Sequence, residues 1–255
     1  MSLSRTSAIA RNTVRLVIHD PGAAIAMILI PLVFIAFLKP AFGAQFEALG
    51  YDNAGSAGVP GLTTMFAVMT LQIVVMIYYR EHAWGTWSRL RASGTTAAEI
   101  VVGKSGPMVF LVALQTSTVL GVSALVFDYR ITGSLGALVA LILAQSLTVV
   151  AFATAAVAVF KSLDAAMMFG NAIGMTMAGI GGALAPTQTL PDWAQAAARF
   201  TPTYWTIDGL RSVTLDSAGL GDVVGGMGVV AVFVAVCVAV TVVAFRPTDS
   251  KVGTT

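Results

Sequence analysis

Six stretches of this chain carry no formally charged side chain: Gly22 to Leu38, Gly61 to Tyr79, Pro107 to Phe127, Ser134 to Phe160, Ala165 to Leu184 and Val223 to Phe245. Each is about as long as the roughly 20 apolar residues that a helix needs to cross a hydrocarbon core of about 30 Å. In such a solvent every backbone polar group must be satisfied internally, which leaves helices as the spanning structure for runs of this length. The expected fold is therefore all-α, a polytopic membrane protein of six transmembrane helices in one domain covering residues 1–255. Residues 1–20 form a lead-in, 22–245 the bundle and 246–255 a tail.

Composition narrows the function classes. Hydrophobic residues make up 57% of the chain and charged ones 10%, against about 25% charged in soluble domains. The net charge of +2 is small and its basic residues are scattered, so nucleic acid is not an expected partner. Cys237 is the single cysteine, which excludes an internal disulfide and a multi-cysteine metal site; no metal ligation is expected. The run from Gly22 to Leu38 is followed by Lys39-Pro40 rather than a small-residue cleavage site, so it is read as a retained span and not a signal peptide.

Orientation follows from the basic residues near the span ends. Arg5, Arg11, Arg15, Arg80, Arg89, Arg91, Lys104, Lys161, Arg246 and Lys251 fall on one side; Lys39, Arg130, Arg199 and Arg211 fall on the other. Both termini are expected on the cytoplasmic side of the cell (inner) membrane. Leu3 to His19 reads either as a helix lying on that face, with Arg11 and Arg15 beside Val14 and Ile18, or as a disordered basic tail.

Within the spans, Pro31 should kink the first helix. Gly170, Gly174, Ala178 and Gly182 set a small residue at every fourth position of the fifth span, either a packing face of the bundle or a seam between two copies. The polar residues Gln72, Gln115, Gln145, Asn171 and Thr176, with Ser146 and Thr148, either tie helices together or line a path. No Asp, Glu, Lys, Arg or His lies deep within any predicted span, which argues against a proton- or ion-coupled carrier.

Two external segments are long. Lys39 to Pro60 reads as a Gly- and Ala-rich loop. Ala185 to Asp222 is punctuated by Pro186 and Pro191, after which Asp192 can open a short helix as cap or first-turn anion. Trp193, Phe200, Tyr204 and Trp205 are interface-seeking aromatics, so short helices dipping into the outer leaflet are expected there.

The connector from Arg80 to Ser105 carries the most information. It is a short amphipathic segment that ends in a Ser-Gly turn, and the spacing of Trp84 and Trp87 allows them one helical face. Its basic residues are either an anchor of the positive-inside kind or a docking surface for an acidic partner. Ala98 to Ser105 comes within one residue of a phosphate-binding loop, but Ala98 stands where glycine is required and no strand precedes it, so ATP binding is not assigned to this chain.

The pattern Arg80-Glu81, Gly85-Thr86, Arg89-Leu90, Ser93-Gly94, Gly103-Lys104 after the second span resembles the type-2 ABC transporter permeases, in particular small drug-export permeases of the daunorubicin-resistance type. A second match, Thr201-Pro202-Thr203-Tyr204-Trp205 leading to Asp208-Gly209-Leu210-Arg211, precedes the last span. Thr201 and Gly209 depart mildly from the family's small polar residue and alanine. The resemblance covers essentially the whole chain. It implies that the connector is a coupling helix docking into a separate ATPase subunit, through Arg80, Glu81, Trp84, Gly85, Thr86, Arg89, Leu90 and Arg91. It also implies that Pro202, Tyr204, Trp205, Asp208 and Arg211 form an outer re-entrant motif. ATP and Mg would belong to the partner, and a second permease copy or a homologous permease would complete the export path.

Two other functions compete with an exporter of amphipathic, drug-like, lipid-like or glycan cargo. One is a non-conducting anchor or assembly subunit for an ATPase. The other is an intramembrane enzyme, which needs convergent catalytic groups; the only histidines are His19 and His82 at the membrane edge, without a recognisable nucleophile motif.

Overall fold

The computed structural model describes residues 2–48, 56–127 and 129–246, with the side chains of Pro21, Ala24 and Arg91 outside that description. The elements are α1 (Leu3–Ile18), α2 (Pro21–Glu47), α3 (Val59–Met69), α4 (Leu71–Ala83), α5 (Trp87–Ala92) and α6 (Ala97–Val126). There follow α7 (Leu135–Val159), α8 (Leu163–Ile180), a 3-10 turn (Thr187–Thr189), α9 (Asp192–Ala198), α10 (Pro202–Leu215) and α11 (Leu220–Ala244). The described residues contain no strand.

Five segments are long and apolar enough to cross a membrane: Ile25–Glu47, Val59–Ala83, Ala97–Val126, Leu135–Val159 and Leu220–Ala244. The sixth expected span corresponds to α8, which falls outside that set: it has 18 residues, about 27 Å at 1.5 Å per residue, and carries Asp164 and Asn171. Its neighbours nevertheless show that it traverses the bundle. Before α8, Tyr79 at the end of α4 donates to the Phe160 carbonyl at 2.7 Å. After α8, a Cβ on Gly61 would lie 2.4 Å from the Ala183 carbonyl oxygen. The helix thus runs antiparallel to α3 and α4 from one end of the bundle to the other.

Its small-residue face lies inside this chain. A Cβ on Gly170 would come within 2.8 Å of Leu71, and one on Gly174 within 2.6 Å of Val68. The stripe is therefore a seam between α8 and the broken second span. Gly182, at φ +93°, belongs to the turn beyond α8 and not to the helical stripe.

Several boundaries differ from the sequence reading. The helix α2 runs on through Pro40 to Glu47, so the first nine residues of the expected loop 39–60 are helical; residues 49–55 lie outside the described ones. The helix α6 starts ten residues before Pro107, because Thr96 and Glu99 form a capping box at its N-terminus. Lys104, expected among the loop cations, is consequently inside a helix and fully buried. Lys251 and the tail 247–255 lie outside the described residues.

The proline at position 31 removes the donor that would have served the Met27 carbonyl four residues back. Gln115 of α6 supplies it, donating from Nε2 to Met27 at 3.0 Å. Its Oε1 accepts from Thr70 Oγ1 at 2.7 Å, at the break between α3 and α4. One buried amide therefore satisfies backbone freed by a proline and holds the discontinuity of the neighbouring span.

The apolar core falls into two clusters stacked along the bundle. One gathers Phe42, Phe46, Leu62, Tyr129, Leu141 and Ile207; the other gathers Ile9, Tyr78, Trp87, Ile100, Val157 and Phe245 at the connector end. Since α1 and Phe245 meet in the second cluster, the two ends of the described chain share one end of the bundle. That arrangement requires an even number of crossings and agrees with α8 as the sixth.

Candidate functional site: the connector end of the bundle

The helix α4 ends at Ala83 in a Schellman arrangement: Thr86 N donates to the Glu81 carbonyl at 3.0 Å and Gly85 N to His82 at 3.2 Å. Gly85 sits at φ +67°, a left-handed conformation that glycine adopts without a Cβ penalty. This reversal separates the two tryptophans expected on one face. Trp84 is 55% exposed with the Arg80 guanidinium 4.6 Å above its ring. Trp87 is buried, stacked on His82 at 4.2 Å between centroids and edge-on to Phe245.

Glu81, a member of the expected contact set, turns inward. Its Oε1 lies 3.0 Å from Lys104 Nζ, which also donates to the Ile77 carbonyl at 3.0 Å and sits 5.1 Å from the Tyr78 ring centroid. Local sequence places both residues in one solvated connector, so the pair is not visible from it. The signal that could have found it is the helix-compatible run from Ala97 to Gly106, which carries α6 far enough down to bury Lys104. The near-match to a phosphate loop is thus helix, with its lysine committed to a carboxylate inside the bundle.

The helix α1 seals the other side. It is an ordered helix, and the residues it buries are Ile9 and Thr13, while Val14 and Ile18 stay exposed. A Cβ on Gly103 would stand 2.8 Å from Ile9 and 3.0 Å from the Thr6 carbonyl oxygen, so α1 and α6 touch through a glycine. Arg5 donates to the Gly94 carbonyl at 2.7 Å, and Glu99 accepts from the Ser2 backbone N–H. Gly103 and Lys104 of the motif therefore have separate tasks: one admits α1, the other anchors α4.

Trp84, Gly85, Ser88 and Arg89 of the connector are exposed, as are Arg11 and Arg15 on α1. Asn12, Leu16, Glu81, Trp84, Thr86, Arg89 and Leu90 line a cleft of about 420 Å³ between α1 and the connector. Leu90 also packs on the core. The side chain of Arg91 lies outside the described residues. The cleft presents the exposed indole of Trp84 and the guanidinium of Arg89 beside the Glu81 carboxylate.

The intramembrane polar residues divide by their partners. Gln115 is a tie between helices, as above. Gln145 accepts from Thr64 at 3.4 Å while its buried Nε2 has no partner. Asn171 is half-buried, with a buried Oδ1 lacking a donor. Thr176 is exposed and donates to its own helix at Ala172, 2.7 Å away. Gln72 is half-buried.

At the opposite end, α9 and α10 form the expected short helices. Asp192 is a first-turn anion and not the cap. Thr201 caps α10 by accepting from Tyr204 N at 3.3 Å, with Pro202 at the first helical position. Trp205 fills the space over Gly226 of α11 and donates to the Arg199 carbonyl at 2.8 Å, whereas Trp193 and Phe200 are exposed. Arg211 donates to the carbonyls of Ala57 at 3.2 Å and Gly182 at 2.7 Å, tying α10 to both neighbouring turns. Asp208 is exposed on the same helix.

A family model described as ABC-2 type transporter matches residues 4–215. The chain is also similar to the linearmycin resistance permease protein LnrN of Bacillus subtilis (strain 168), with 25% identity over 195 residues, 76% of this chain and 50% of that protein. The chain spans about half the length of this curated relative.

Proposed function

This chain belongs to the ABC-2 type transporter family, and from that premise we propose that it is the membrane-spanning permease subunit of an ATP-driven exporter whose ATPase is a separate polypeptide. The observation that carries the reading is the connector end. There the Glu81–Lys104 pair joins α4 to α6, the Gly103 contact joins α1 to α6, and Trp87 and Leu90 pack α5 on the same core. A cleft between exposed Trp84 and Arg89 opens at the same end.

In this reading a segment of the ATPase docks on Trp84 and Arg89, and Glu81 acts as a positioning residue that transmits displacement of the connector to α6. The partner binds and hydrolyses ATP with Mg. A second permease copy or a homologue completes the path, and both termini face the cytoplasm at the inner membrane. The similar protein is by name a resistance permease, which supports outward movement of a harmful compound. An amphipathic cargo suits the apolar walls and the half-satisfied amides of Gln145 and Asn171.

The test is co-expression with a candidate ATPase, purification in lipid, and comparison of co-purification and ATP turnover for wild type and Trp84→Ala/Arg89→Glu. Both side chains are exposed, so the bundle should survive the change. Loss of assembly or of coupled turnover is expected. A double variant that assembles and turns over like wild type would sink the docking assignment.

A further inference from the structure

At the end of the bundle opposite the connector, a cavity of about 250 Å³ opens between the last turn of α2, the 3-10 turn, α9 and α10. Tyr204, Asp208 and Arg211 reach it from one face of α10, with Asp216 just beyond the helix and Gln195 and Arg199 facing them from α9 and its C-terminal residue. The wall therefore presents two guanidinium groups and two carboxylates. Arg211 is oriented by its bonds to Ala57 and Gly182 and lies 5.0 Å over the ring of Phe46. Arg199, Asp208 and Asp216 form no ion pair among the described residues.

The two signs of charge ask for a ligand that carries both. Although Asp208 as a residue is exposed, desolvation of its carboxyl at the cavity wall lifts it above the usual aspartate range; Arg211 opposes the shift and Asp216 adds to it. A nearby cation would relieve that cost. The cavity is smaller than the roughly 300–1,000 Å³ of sites that enclose drug-sized ligands, so it suits a headgroup with its tail left outside. Trp193 and Phe200, near the lining residues Gln195 and Arg199 in sequence, are 68% and 83% exposed, and such aromatics settle at the headgroup level of a bilayer.

We propose that this cavity binds the zwitterionic headgroup of a phosphatidylethanolamine-type lipid, with the phosphate toward Arg199 and Arg211 and the primary ammonium toward Asp208 and Asp216. A primary ammonium has three donors for carboxylates, whereas a quaternary one has none and a glycerol headgroup lacks the cation. The site is independent of any ATPase contact and stands or falls separately from the permease reading.

The full chain, purified with any co-purifying subunit, is stripped in detergent. It is then exposed to phosphatidylethanolamine, phosphatidylcholine or phosphatidylglycerol, and native mass spectrometry counts the lipids retained. One phosphatidylethanolamine per chain should persist after the other two are lost. Arg199→Ala and Asp216→Ala, both at exposed positions, should each cut that occupancy several-fold with helical circular dichroism unchanged. Soluble glycerophosphoethanolamine should displace the retained lipid. Equal retention of the three lipids, full retention in both variants, or indifference to the soluble headgroup would each overturn the site.

Discussion

Lys104 reaches across from α6 to Glu81 at the foot of α4, 3.0 Å between Nζ and Oε1, with no exposure of the lysine to solvent. The pair joins the segment that leaves the second span to the helix that begins the third. Removing Lys104 leaves the buried Glu81 carboxylate without its cation. Deleting one partner of such a buried pair costs about 3–5 kcal/mol, whereas replacing both with apolar residues of similar volume can be neutral. Lys104→Met should therefore lower the melting temperature in detergent substantially, and Glu81→Leu/Lys104→Met should recover most of the loss. A single variant that melts with wild type would show that the pair does not hold the connector.

Gln115 should be needed because of Pro31. In Gln115→Leu the Met27 carbonyl loses its donor, a loss of about 1–3 kcal/mol for a buried unsatisfied group. Adding Pro31→Ala restores a backbone N–H four residues after Met27 and should return stability, as read by thermal unfolding in the same detergent. If Pro31→Ala brings no recovery in the Gln115→Leu background, the amide is not serving the proline break.

The contact of α1 with α6 predicts a labelling result. In a Cys237→Ser background, a cysteine placed at the buried Thr13 should react slowly with maleimide. Gly103→Val drives a side chain into Ile9 and the Thr6 carbonyl, an overpacking cost of about 1–3 kcal/mol. Labelling at position 13 should accelerate accordingly. Unchanged labelling would mean that α1 is not held at Gly103.

Two glycines of one helix should behave in opposite ways. A Cβ on Gly174 would meet Val68 at 2.6 Å, while Gly179 has open space. Gly174→Ala should destabilise the protein. Gly179→Ala should be neutral or stabilising by up to about 1 kcal/mol through helix propensity. Neither should alter the oligomeric state measured by light scattering, because the α8 stripe is spent inside the chain. Dissociation of an assembly by Gly174→Ala, with its stability intact, would return the stripe to a seam between copies.

The all-helical membrane architecture is legible in the residues alone, because uncharged runs long enough to cross a bilayer leave the backbone no other way to satisfy its hydrogen bonds. The residues also mark the connector, with its Ser-Gly turn at Gly94, and the motif before the last span. Where the charges lie depends on packing between segments. Whether Lys104 is a loop cation or a buried partner depends on how far α6 extends and on which face meets α4, and neither is set by local composition. The same holds for Trp84 and Trp87, close in sequence but parted by a left-handed turn, and for Gln115, whose partners lie 88 residues away at Met27 and 45 away at Thr70. Such pairings are fixed by packing between segments distant along the chain, where desolvation makes each buried polar group depend on a particular neighbour.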